Sequence, residues 1–119
     1  MDELFASIAS NVGIDPELAQ KAVGMILGFL QKEGPAEQIA QMMAAMPDAQ
    51  ALIDGAPEAG GGLLGGGVMG LGSALMGMGL GMGEISGVAK ETVAFARAQA
   101  GEEAVDQVIA AIPGLGQFV

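Results

Sequence analysis

Apolar residues recur along the first 53 positions with the period of a helix, not a strand. In DELFASIASNVG, Leu4, Phe5, Ile8 and Val12 fall on one stripe. In GIDPELAQKAVGMILGFLQKEG, Leu18, Ala22, Met25, Ile26, Phe29 and Leu30 make a single face. Asp15 is placed to cap this segment, Pro16 stands at its first helical position, Glu17 lies in the dipole-favoured first turn, and Gly34 closes it. In PAEQIAQMMAAMP, Ile39, Met42, Met43 and Met46 follow the i, i+3, i+4, i+7 pattern until Pro47 stops the helix. Residues 1–53 therefore predict a short, a long and a medium helix, ending in an apolar pair at Leu52 and Ile53. Gly24 and Gly28 inside the long helix each cost about 1 kcal/mol against Ala unless close helix packing uses them.

The pattern returns 66 residues later without a gap. Phe29 falls on Phe95, Glu37 on Glu103, Gln41 on Gln107, Ala44 and Ala45 on Ala110 and Ala111, and Pro47 on Pro113. The stripe of the third helix reappears as Val105, Val108, Ile109 and Ile112, while Leu52 and Ile53 land on Phe118 and Val119. Ser7 meets Ser73, and Gly13-Ile14 meets Gly79-Leu80. Identity alone is weak in a chain so rich in Ala and Gly. The agreement of turn, apolar period and proline stop in one register is the stronger sign of an internal repeat.

Between the two copies lies an uncharged, glycine-dense run. Residues 54–66 read as a flexible, dispensable spacer. Residues 67–83 read as a glycine-eroded copy of the first helix, with Leu71, Leu75 and Met78 on the stripe held earlier by Phe5, Ala9 and Val12. Gly70, Gly72 and Gly77 make it the weakest helix expected. The predicted architecture is all-α: about six helices as two pseudo-repeated three-helix units, 1–53 and 67–119, packed face to face across the 54–66 spacer. Each unit alone is too small to bury its stripe well, which gives a physical reason for pairing them.

DPELAQKAVGMILGFLQKEGP and the closing GEEAVDQVIAAIPGLGQFV resemble a family of small acidic bacterial proteins, of alphaproteobacterial type, that carry a domain of unknown function. The resemblance covers nearly the whole chain and is most specific at AIPGLGQFV. It implies a duplicated helical unit and brings no catalytic residue with it.

Charge and composition narrow the function. Acids outnumber bases 14 to 4, and no block of the chain is basic, so nucleic-acid backbones and anionic lipid surfaces are repelled. Cys, His, Trp and Tyr are absent, which removes thiolate chemistry, the commonest general base and metal ligand, and most base-stacking platforms. The start, MDELFASIAS, lacks a basic, then apolar, leader pattern, so a cytoplasmic protein without an anchor is expected.

The remaining candidate chemistry is weak. Gly65-x-Gly67-x-x-Gly70 matches a dinucleotide pattern as text, without the preceding strand that motif needs. Residues 59–83 have the length of a membrane span, but half of them are glycine and acids flank both sides. Met43/Met46, Met76/Met78 and Met78/Met82 have spacings suited to a soft cation, though methionine more often fills helical cores. Asp2-Glu3, Asp15/Glu17 and Glu102-Glu103 sit where helix starts favour negative charge. Ser7, Ser10, Ser73, Ser86 and Thr92 have no histidine partner, and Lys21, Lys32 and Lys90 lie among polar residues. No enzyme, cofactor or metal is expected.

With 51% of residues apolar and only 15% charged, some apolar surface should stay uncovered. The expected function is therefore a protein–protein interaction or self-assembly module, with Met42, Met43 and Met46 as the candidate interaction face. The alternatives are a carrier of a small apolar ligand or lipid, with Leu27, Phe29, Phe95 and the methionines lining the cavity, or peripheral membrane contact through the Gly/Met/Leu-rich stretch.

Overall fold

The computed structural model describes residues 2–55, 67–112 and 116. Its helices are α1 (Asp2–Val12), α2 (Pro16–Glu33), α3 (Ala36–Ala45), α4 (Ala49–Gly55), α5 (Gly67–Gly77), α6 (Met82–Ala100) and α7 (Glu102–Ala111), with no strand among the described residues. The described residues are helical as the periodicity predicts, with seven helices among them where about six are expected. The addition is α4, read from sequence only as the apolar pair Leu52-Ile53.

Seven residues are too few for a self-standing helix, so α4 depends on its neighbours. Ala49 is buried, and Gln31 Nε2 on α2 donates to Gln50 Oε1 at 2.9 Å. Ile53 lies against Gly28, where an added Cβ would come within 3.3 Å of its Cγ2. The glycine that weakens α2 in isolation thus lets α4 approach it. Asp54 and Gly55, expected at the start of the spacer, belong to α4. The rest of the expected spacer, 56–66, lies outside the described residues, and so does the expectation that it is mobile.

The two long helices carry the core. Ala22, Val23, Met25, Ile26, Leu27, Phe29 and Leu30 of α2 are all buried, more than the single face read from the sequence. The reason is position: α1, α4, α5 and α6 all pack on α2. Each large side chain so enclosed contributes about 1.5–3 kcal/mol. On α6, Ile85, Val88, Ala89, Thr92, Val93 and Ala96 are buried, and α1, α3 and α7 pack around it. α1 buries Leu4, Phe5 and Ile8 against both long helices, and α5 also touches both.

Capping departs from the sequence reading at Asp15. Its side chain makes no cap hydrogen bond, although Pro16 does open α2. Gly34 closes α2 in extended backbone, not a left-handed turn. The α1–α6 seam carries a polar clip: Asn11 Nδ2 donates to Glu91 Oε1 at 2.8 Å and to Ser7 Oγ at 3.1 Å, and Ser7 Oγ donates to Glu91 Oε2 at 3.4 Å.

Thr92 is the one polar residue among the described buried positions, and its Oγ1 donates to the Val88 carbonyl at 2.8 Å. That carbonyl already serves the helix ladder, so the hydroxyl adds little. Thr92→Val is expected to change unfolding stability by less than about 1 kcal/mol in urea denaturation. A loss of several kcal/mol would reveal a further role for the hydroxyl.

Candidate interaction surface

The methionine face expected on α3 is turned inward. Met42 is fully buried at 0% exposure, Met46 is 3% exposed, and Met43 is half-buried against the core. The stripe Ile39, Met42, Met46 is what docks α3 onto α6 and α7. Solvent instead meets Ala36, Glu37, Ala40, Gln41 and Ala44, a small and polar surface. Met42, Met43 and Met46 therefore form no outer groove in this fold. Helical spacing puts them on one face but does not say whether that face looks in or out.

The large apolar side chains that solvent does reach are Met76, 51% exposed, and Met82, 62% exposed. They flank the turn between α5 and α6. The turn is a Schellman closure: the Leu80 N–H donates to the Leu75 carbonyl at 3.3 Å, and the Gly79 N–H to the Met76 carbonyl at 3.0 Å. Gly79 supplies the left-handed residue, φ +100°, that this closure needs. Leu75 and Leu80 are both buried, the apolar contact that accompanies such closures. Beyond them Gly81 is extended, and its N–H is capped by Glu84 Oε1 at 2.8 Å.

This construction decides what shows at the surface. In MGMGLGMG (76–83), Leu80 anchors the corner, Met78 is half-buried, and Met76 and Met82 point out. Gly77 and Gly83, one residue beyond each exposed methionine, have nothing within 4 Å of an added Cβ. No charged residue stands between Glu58 and Glu84 in the sequence. The result is a corner that exposes two thioethers and bare backbone, with the Glu84 carboxylate capping Gly81, which lies between them in the chain. The sequence signal is the alternation of Met and Gly, which also suggests soft-cation spacing and a Gly/Met/Leu-rich stretch for peripheral membrane contact.

Two hollows are bounded by described residues. One, of about 270 Å³, lies between the start of α2 and the end of α4, lined by Glu17, Gln20, Lys21, Ala51, Leu52 and Gly55. The other, of about 110 Å³, is lined by Ala45, Met46, Pro47, Asp48, Phe95 and Gln99. Both are open and shallow, and neither contains a serine, threonine or convergent set of acids. Ser7 is engaged in the α1–α6 clip, Thr92 is buried, and Ser10 and Ser73 are exposed. Lys21, Lys32 and Lys90 are exposed. Among the described residues no three acids converge as a metal site, and no helix is long and apolar enough to cross a membrane.

No family model, curated protein or solved structure matches this chain. The resemblance drawn from its two motifs therefore assigns no role to any residue of this surface.

Proposed function

We propose that this chain is a non-catalytic helical module, built from two copies of a three-helix unit, that self-associates through the Met76/Met82 corner. The carrying observation is the corner itself: two large apolar side chains more than half exposed, while the other large apolar side chains described are buried or half-buried. A net charge of −10 disfavours anionic lipid as the partner; two copies of the chain also repel, so their association would rest on apolar contact at this corner and strengthen with salt.

Several details support the duplication. A shift of 66 residues carries α3 (Ala36–Ala45) onto α7 (Glu102–Ala111) and the start of α2, Pro16, onto the start of α6, Met82. It carries Gly13 onto Gly79, both with positive φ, and buried Ile39, Met42 and Met46 onto buried Val105, Val108 and Ile112. The packing is reciprocal, since α1 lies on α6 and α5 lies on α2. Phe95 departs from the pattern, being half-buried where Phe29 is buried.

The carrier reading has less behind it. Leu27 and Phe29, expected to line a ligand cavity, are packed in the core, and Phe95 borders only the smaller hollow.

Sedimentation velocity over the micromolar range tests the proposal. The wild type is expected to show concentration-dependent association, and the double variant Met76→Lys, Met82→Lys to sediment as a monomer with unchanged circular dichroism. A wild type that stays monomeric at high micromolar concentration would remove self-assembly and favour the carrier.

A further inference from the structure

We propose that Met76 and Met82 are two sites of sulfoxide modification by peroxide-class oxidants, reacting ahead of the other methionines the structure describes. Thioether oxidation needs direct approach of the oxidant to sulfur, so reactivity follows exposure. The contrast within this chain is wide. Met76 and Met82 are 51% and 62% exposed, while Met25, Met42 and Met46 are 3%, 0% and 3% exposed. Met43 and Met78 lie between these extremes. The glycines after both exposed methionines, Gly77 and Gly83, provide no side chain to screen the sulfur.

In each event a sulfur lone pair attacks one peroxide oxygen. The S–O bond forms as the O–O bond breaks. The proton on the transferred oxygen passes to the departing hydroxide, which leaves as water. Sulfur is oxidised by two electrons and the peroxide is reduced by two. A dithiol reductant can reverse the change, releasing water and a disulfide.

Position makes this a mark and not a lesion. Met76 lies in the last turn of α5 and Met82 opens α6, and neither side chain is part of the core. A polar oxygen at either sulfur can stay in water. At Met42 the same oxygen would be forced among buried apolar side chains. The modification rests on the exposure seen in a single chain; self-association through this corner would cover both sulfurs and slow it.

The experiment treats dilute full-length protein with hydrogen peroxide and follows it by intact mass, peptide fragmentation and circular dichroism. Two early additions of about 16 Da each are expected at Met76 and Met82, on the order of tenfold faster than at Met25, Met42 or Met46, with helical content unchanged. The double variant Met76→Leu, Met82→Leu keeps the corner apolar and should lose both early additions. Oxidation of Met42 or Met46 in step with Met76 and Met82 would overturn the proposal, as would a loss of helical content with the first two oxygens. Protection of Met76 and Met82 that disappears on dilution would also overturn it for the assembled protein, while supporting the self-association interface.

Discussion

Met42→Glu is expected to abolish the cooperative thermal transition. Met42 is fully buried on the face by which α3 meets α6 and α7. A carboxylate there has no cationic neighbour in view: Lys21, Lys32, Lys90 and Arg97 are all exposed. Burying it unpaired costs several kcal/mol, and small domains hold only about 5–15 kcal/mol of stability in total. Met42→Leu nearly conserves volume and apolar character, and should cost less than about 1.5 kcal/mol. Thermal melts by circular dichroism compare the two. A Met42→Glu protein that melts cooperatively within a few degrees of wild type would mean that α3 presents this face to solvent after all.

The second large effect is expected at Gly34. The residue sits where α2 ends, its N–H donating to the Leu30 carbonyl at 2.7 Å. An added Cβ would stand 2.7 Å from that same carbonyl oxygen and 2.9 Å from Ile39 Cδ1. The oxygen is backbone and is held by its hydrogen bond, and Ile39 is buried, so neither can move away cheaply. Gly34→Ala should therefore destabilise by about 2–3 kcal/mol, as overpacking does elsewhere. Gly55→Ala is the control, because an added Cβ there meets nothing within 4 Å. Urea denaturation of both variants gives the comparison. Equal stabilities would show that the α2–α3 junction relaxes around the methyl group.

Much of the fold is written in the spacing of apolar residues. The ends of α2 and α3 follow from Pro16, Gly34 and Pro47, and the stripes of α1, α3 and α7 are buried where the period puts them. Periodicity has less hold where one helix is covered on several sides. Val23 and Leu27 lie off the predicted face of α2 yet are buried, because several helices pack on α2 from more than one side. One of them, α4, escaped detection because seven residues with one apolar pair make no readable period. The reason for Gly34 was equally hidden: its role is a close approach to Leu30 and Ile39, while a closing glycine suggests a left-handed turn. Least legible was which apolar residues meet solvent. Met42, Met43 and Met46 had the pattern of a face, but the pattern is the same for a docking face and a core face. Met76 and Met82 had no helical pattern, since a turn between two helices resets the phase.

The packing of α1 on α6 has a consequence for synthesis of the protein. Ribosomes release the chain from its N-terminus at about 5–20 residues per second. Phe5 and Ile8 are made before residues 82–100, and α6, which those residues form, is one of the two long helices that cover α1. Until α6 is made, several seconds later, the apolar stripe of α1 lacks that part of its cover. Over that interval it is a ready target for a chaperone. A ribosome stalled before α6 would display a stripe that α2 covers only in part.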